Sequence, residues 1–263
     1  MKIKQEGPFQ NGLNLIVGKQ THPEGMGMDF LVLSMQKGDS FSADYNEEAI
    51  FTLLFGEVTF KWEDQEQSVS RANCFHVSPV VLHVPQNTHV EILAQADTEV
   101  AIAKIPNSRS FPARLLQGDA LLCANEERGT GTLNECSTRL VRTFFDRSNC
   151  PETNFFVGEV VSYPGKWSSY PPHQHVEPEI YFYKFLPENG YGLAEYGDDA
   201  FKVHNNDATL MPSNMTHAQA TAPGYAEYYL WCIPLRDDQN IVTTTVAEHA
   251  WTTEPGAKYF PEI

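Results

Sequence analysis

The chain has 263 residues and a formal charge of −16, from 18 Lys and Arg against 34 Asp and Glu. That length accommodates one large or two small domains, and a hydrophobic content of 41% with 12% aromatics supplies a full core and excludes intrinsic disorder. The acidic balance excludes nucleic acid and anionic membrane surfaces as partners, because both select basic patches.

The opening MKIKQEGPF lacks the apolar stretch of a signal peptide, and no run of about 18 apolar residues occurs, so a cytoplasmic protein without membrane spans is expected. Short runs rich in Val, Ile, Phe, Tyr and Thr predict strands over Ile50 to Phe55, Val58 to Trp62, Val80 to Val84 and Glu99 to Ile105, separated by polar or Gly/Pro/Asn turns. Few long stretches read as helix. The segment Asp119 to Phe145 is mixed in composition and reads as a connection between two halves. An internal duplication supports that division. EEAIFTLLFGEV at 47–58 is echoed by EPEIYFYKFLPE at 177–188, HVPQNTH at 83–89 by LMPSNMTH at 210–217, and VAIAKIP at 100–106 by YYLWCIP at 228–234, with offsets of 130, 127 and 128 residues. Preserved order and nearly constant offset predict an all-β protein of two homologous domains. Residues 1–112 form the first, 113–150 the connection and 151–263 the second.

The five cysteines, Cys74, Cys123, Cys136, Cys150 and Cys232, are odd in number and include no C-x-x-C pair. They read as reduced thiols, so metal ligands are sought among His and carboxylates. The stretch GKWSSYPPHQHVEPEIYFYKF at 165–185 is the most informative. His173 and His175, two apart, project from one face of an extended strand and can present two imidazoles to one cation. On one continuous strand His173 and Glu179 would be about 20 Å apart, so the chain must turn between them. Val176-Glu177-Pro178 supplies that turn, since Pro keeps its predecessor out of helix and cannot donate to a ladder. His217 is the candidate third imidazole. It follows Pro212-Ser213-Asn214, where Asn214 can take the left-handed conformation usual for Gly. Three His and one Glu with open positions suit a divalent zinc, manganese, iron or nickel ion. His22, His76, His83, His89, His204 and His249 lack such company and read as surface or hydrogen-bonded histidines.

The pattern H-x-H-x3-E…N-D-x4-P-x-N-x-x-H resembles the two cupin motifs, with Asn206 and Asn214 where Gly is usual. The chain more broadly resembles the 5-deoxyglucuronate isomerase family of inositol catabolism, through WSSYPPHQH (167–175), EIYFYKF (179–185), PGYAEYYL (223–230), EHAW (248–251), Arg128-Gly129, FFVGEV (155–160), GEVTF and VPQNTHV. The resemblance implies a bicupin, two tandem jelly-roll barrels of which the second alone holds the metal. The residues before Glu47, FSADYN, contain no H-x-H. Two departures stand out. Val176 replaces the family's usual Asp, with only Glu177-Pro178 in place of a longer acidic insertion, and Lys184 replaces its usual Arg.

The implied reaction is conversion of 5-deoxy-D-glucuronate to 5-dehydro-2-deoxy-D-gluconate, an aldose–ketose isomerisation of a small sugar acid. Moving a carbonyl between neighbouring carbons needs a proton removed beside it and the developing oxyanion stabilised, which suits a divalent cation. His173, His175, Glu179 and His217 are the expected ligands. Glu177, beside them and not needed as a ligand, is the candidate proton shuttle. Tyr181 and Tyr183 share the face of Glu179 and are candidate substrate contacts. Lys184 is also a candidate, although alternation points it the other way, to a structural or interface role. Tyr225, Tyr228 and Tyr229 suit core and site equally, and Trp167 is expected to pack. Arg128, Arg139 and Arg142 are alternative carboxylate anchors or surface ion-pair partners, with Arg142 taken as the site candidate. A cupin oxygenase using iron, a non-catalytic sugar-acid binding protein, and an isomerase of a related uronate remain alternatives. The resemblance also implies at least a homodimer.

Overall fold

Alternation of inward and outward side chains, rather than helical periodicity, organises nearly the whole chain. A computed structural model describes residues 1–22, 26–235 and 240–262. Its strands in chain order begin with β1 (Lys2–Ile3), β2 (Gly12–Val17), β3 (Asp29–Met35), β4 (Ser40–Tyr45), β5 (Glu48–Trp62), β6 (Gln65–Arg71), β7 (Val81–Val84), β8 (Thr88–Ala94), β9 (Thr98–Ile105) and β10 (Arg114–Leu116). The second half continues with β11 (Glu126–Arg128), β12 (Arg139–Phe145), β13 (Phe155–Ser162), β14 (Trp167–Gln174), β15 (Glu179–Leu186), β16 (Tyr191–Tyr196), β17 (Asp199–His204), β18 (Ala208–Met211), β19 (His217–Thr221), β20 (Ala226–Pro234) and β21 (Thr244–Thr245). No helix among the described residues is long and apolar enough to cross a membrane.

The duplication read from the sequence is a duplication of topology. The strand order β7-β5-β9-β3-β2 of the first half recurs as β18-β15-β20-β13-β12 in the second. The smaller sheet of the second half runs β17-β16-β19-β14-β21, and β4, β8, β5 and β6 pair in the first. The two runs expected at Ile50–Phe55 and Val58–Trp62 are one 15-residue strand. Its first part pairs with β7 and β9 and its second with β6 and β8, so β5 passes between sheets at Gly56. Gly56 has φ of 109° and a Cβ there would come within 1.8 Å of Thr98 Oγ1, so glycine is required at the bend.

The segment 113–150 is not a free connection. β10 extends the first large sheet through β7, whereas β12 and β11 extend the second through β13. Residues assigned to the first half also cross over, with Lys2 pairing with Thr209 on β18. Composition alone conceals this, because edge strands carry polar outer faces.

Three apolar cores result. One fills the first half, around Phe51, Phe60 and Trp62, and another lies in the second, around Tyr181, Tyr183 and Trp231. The third joins the outer faces of the two large sheets, bringing Phe30, Val32 and Ile50 together with Phe155, Phe182 and Leu230. Hence β15 and β20 are buried on both faces and read as continuous apolar runs.

Polar groups trapped between the halves are paired. Glu159 is fully buried and accepts from Arg71 at 2.5 and 3.2 Å, Arg142 at 2.9 Å and the Tyr228 hydroxyl at 2.9 Å. Glu48 accepts from His83 Nε2, Asn107, Thr153 and the Asn154 amide, at 2.5 to 2.8 Å. Burial lowers the pKa of His83, so it donates to Glu48 as a neutral imidazole. Lys184 reaches out of the second half to Glu99 of the first.

Glu227 is less fully paired. Its fully buried carboxyl accepts from Thr221 Oγ1 at 2.8 Å, while Oε1 has no partner. Gly192 makes room for it, since a Cβ there would lie 2.7 Å from Oε2. Burial pushes Glu227 up to about 8.

Two stability measurements follow. Glu159→Gln leaves two buried guanidinium groups without their anion and lowers unfolding free energy by about 3–5 kcal/mol in urea titrations. For Glu227 the unfolded chain releases its proton near 4.5 but the folded chain holds it to about 8, so stability falls with rising pH across that window. Glu227→Gln therefore stabilises by on the order of 2 kcal/mol at pH 8, a gain that shrinks towards pH 4.5.

Candidate metal centre

The inner faces of β14, β15 and β19 meet at one end of the second half. His173 on β14 lies directly opposite His217 on β19. The two prolines of β14 lack ladder donors, and its register against β19 shifts between Ser168 and His173. β14 ends at Gln174 and β15 starts at Glu179, so residues 175–178 provide the expected turn. A second turn is fastened to the first by the Asn214 amide, which donates to the His175 carbonyl at 2.8 Å. Asn214 and Asn206 both take left-handed backbone, with φ of 61° and 70°, which explains how they stand in for Gly.

The ring centroids of His173, His175 and His217 are 4.6 to 6.2 Å apart, and their ligand nitrogens all lie within 4.8 Å of one another. Each Nδ1 faces a backbone carbonyl: His173 that of Ser169 at 3.1 Å, His175 that of Glu177 at 2.7 Å, and His217 that of Met215 at 2.8 Å. A carbonyl only accepts, so each Nδ1 carries a proton there, which leaves Nε2 as the atom that would meet a metal ion. Two of those Nε2 atoms lie against a carboxylate oxygen, with Glu179 Oε2 at 3.1 Å from His175 Nε2 and 3.3 Å from His217 Nε2. His217 Nε2 is buried without a hydrogen-bond donor or acceptor.

The electrostatics have the same character. Burial holds His173 down at about 4, so it is a neutral ligand at neutral pH. Burial also opposes charge on both His175 and Glu179, but their mutual hydrogen bond outweighs it, raising His175 and lowering Glu179 to about 2. The set therefore offers three imidazole nitrogens and one anion, and an ion that displaced the proton between His175 and Glu179 would find the donors a divalent transition metal takes. Among the described residues no other group of three such side chains converges. In the first half Ala49 stands at the position of Glu179 in the repeated sheet, and His89, the echo of His217, turns outward to Asp44 at 2.7 Å.

A cavity of about 340 Å³ opens in front of His173, His175 and Glu179. Tyr181, Tyr229, Ser168, Ser169, Arg128 and Arg139 are among its other polar lining residues, with Val141, Phe156, Trp231 and Ile233 among the apolar. Tyr229 hydrogen-bonds Ser168, and burial pushes it up to about 12, so it remains a hydroxyl donor. Ser169 adopts φ of 54°, unusual for a non-glycine residue, and its carbonyl is the acceptor for His173.

Several expected site residues lie elsewhere. Arg142 is corrected from substrate contact to structural residue, because its strand face turns from the cavity towards Glu159 and the carbonyls of Cys74, Phe75 and Val77. Lys184 is likewise removed by strand parity, its ammonium being taken by Glu99. Tyr183 shares the face of Tyr181 but lies beyond the cavity, with its hydroxyl near Thr209 and Gln219 at 2.8 and 3.0 Å. Glu177 serves the site through its backbone carbonyl, and its carboxyl is not part of the cavity wall. Trp167 is 40% exposed and packs only edge-on against Tyr170. Ser168 and the Ser169 carbonyl are additions that the tandem serines could have suggested, and of the three arginines weighed as anchors Arg128 and Arg139, not Arg142, are on the cavity wall.

Two tandem β-barrels, one of them carrying a cluster of three histidines and a glutamate at its mouth, define a cupin-type protein. A cupin conserved-barrel protein from Leptotrichia buccalis superposes with a TM-score of 0.53 at 12% identity, covering 88% of this chain and 92% of that one. An IolB-like protein from Salmonella typhimurium LT2 superposes with a TM-score of 0.83 at 23% identity over 94% of this chain and 97% of the other. The KduI/IolB family model matches residues 3–252, and the chain belongs to that family. A 5-deoxy-glucuronate isomerase of Geobacillus kaustophilus is 32% identical over 230 residues, 79% of this chain and 80% of that protein, and the present chain is an isomerase of the same family.

Metal analysis after dialysis against zinc, manganese, iron or nickel salts checks the cluster. Wild type is expected to retain about one ion per chain, and His175→Ala to lose retention by at least about 100-fold while keeping its far-ultraviolet dichroism.

Proposed function

We propose that the chain is a metal-dependent aldose–ketose isomerase that converts 5-deoxy-D-glucuronate to 5-dehydro-2-deoxy-D-gluconate in inositol catabolism. The observation that carries this reading is the convergence of the three histidines, each with Nδ1 facing a backbone carbonyl and two with Nε2 within 3.3 Å of Glu179. His173, His175, Glu179 and His217 would hold the ion. A bound divalent cation supplies Lewis acidity to the adjacent carbonyl and hydroxyl oxygens of the substrate.

The chain's own groups supply the rest. The backbone carbonyls of Ser169, Glu177 and Met215 hold the imidazoles in orientation, so the site needs little reorganisation when substrate arrives. Trp231, Phe156 and Ile233 exclude water from one side of the cavity. Apart from Glu179, no carboxylate among the described residues is part of the cavity wall. Tyr229 and Tyr181, both protonated at neutral pH because burial raises them, are hydroxyls of the cavity wall that can donate to substrate oxygens.

The test is an NMR assay following loss of the aldehyde proton of 5-deoxy-D-glucuronate. Wild type is expected to convert it, chelation to abolish conversion, and divalent metal to restore it without oxygen consumption. Glu179→Gln should lower kcat/KM by at least about 100-fold. Failure of metal-restored protein to convert this or a related uronate overturns the reading, and oxygen uptake would favour an oxygenase instead.

A further inference from the structure

Three arginines lie near the second half's cavity, and their surroundings separate them. Arg142 is committed to Glu159 behind the sheet. Arg128 faces the cavity but is clasped by Glu126, with Nε at 2.8 Å and Nη2 at 2.7 Å from the same carboxylate oxygen. Arg139 lies directly opposite Arg128 in the β11–β12 ladder and also faces the cavity. Its one protein acceptor among the described residues is the Ser137 carbonyl, 2.7 Å from Nη1, and it has no carboxylate within hydrogen-bond reach. Burial, joined by the repulsion of Arg128, lowers its pKa. A guanidinium is never neutral at working pH, so this positive charge faces the cavity with no paired anion among the described residues.

We infer that Arg139 is the specificity residue of this site, binding the carboxylate at the far end of a hydroxyaldehyde whose reacting end lies at the histidine–glutamate cluster. The inference rests on the isomerase reading and adds what selects an acid over a neutral sugar. Several features of the wall fit this role. Arg139, Val141 and Thr143 alternate on one strand and all line the cavity, so the guanidinium and the imidazoles share one enclosed space. The Tyr229 hydroxyl lines the same cavity as Arg139, and it hydrogen-bonds Ser168 in the chain segment whose next carbonyl orients His173. The fork of unused N–H donors matches a carboxylate bidentately, which a lysine at this position would not. In a chain of net charge −16 an acidic substrate needs such a local cation.

The test compares wild type, Arg139→Gln and Arg139→Lys, each metal-loaded, on 5-deoxy-D-glucuronate and on neutral 5-deoxy-D-glucose. Arg139→Gln is expected to raise KM for the acid by about 30-fold or more, with kcat changed only a few-fold, and to shrink the acid-over-neutral ratio of kcat/KM by the same factor. Arg139→Lys, which keeps the charge and the stem, should fall between the two and covers the case in which the Gln variant misfolds. A parallel loss on both substrates, or no loss on either, overturns the inference. Calorimetric titration with the acid gives an independent readout. If wild type binds the acid without converting it, the isomerase reading fails, and weaker binding by Arg139→Gln still supports the anchor. Equal binding by the two proteins, or no binding by wild type, overturns it.

Discussion

The outer faces of the two large sheets are pressed together, and much else in the molecule follows from that contact. It buries β15 and β20 on both sides, so a one-residue shift of register would turn Glu179, Tyr181 and Tyr229 away from the site and into the contact between the sheets. Charges caught in the contact must then be neutralised within it. Glu159 takes two arginines and Glu48 takes four donors, one of them a neutral histidine. The same contact removes Lys184 and Arg142 from the chemistry. Both sit on strand faces that point between the halves, and each is consumed by a carboxylate there.

On this rigid base the site is tuned by main-chain atoms more than by neighbouring side chains. Three backbone carbonyls fix three tautomers, and two asparagines in left-handed conformation bring the loops into place. Backbone positions of this kind tolerate changes of side chain provided the turn is kept. That accounts for how a chain with Val176 and a shortened Glu177-Pro178 segment still brings His175 and Glu179 within 3.1 Å. It also gives Glu177 a use that its carboxyl does not suggest. The first half shows the converse, since its repeated framework carries Ala49 and an outward His89, and its interior is apolar.

Much of this was legible in the sequence because the relevant signals are local. The spacing of His173 and His175 fixes a shared strand face, Pro178 forces the turn before Glu179, and Asn214 marks the bend before His217. The duplicated segments carry the topology of both large sheets. What was hidden depended on pairing partners far away in sequence. Residues 139–145 lack a clean alternation of hydrophobicity because one face looks into a polar cavity and the other holds Arg142 against Glu159. Once that segment is known to be a strand, parity alone separates Arg139 from Arg142. Gly56 reads as a turn because a glycine between apolar runs usually is one. Here Thr98 packs where its side chain would be and the strand continues through the bend.

The net charge of −16 can be reconsidered on this footing. An average field of that sign repels an acidic ligand at long range, yet such fields fade within about 8 Å at physiological salt. Within that distance the cavity presents a neutral His173, a cluster whose single carboxylate is suited to a divalent ion, and a guanidinium without a carboxylate partner. The local balance with an ion in place would thus be positive inside a negative molecule. A low-dielectric wall of Val141, Phe156, Trp231 and Ile233 strengthens that local field relative to the screened outer one. Recognition of an anion by an acidic protein then requires no basic surface. It requires that the few positive charges be placed where water is scarce, and that the remaining arginines of the same segment be neutralised elsewhere, as Glu126 and Glu159 do for Arg128 and Arg142.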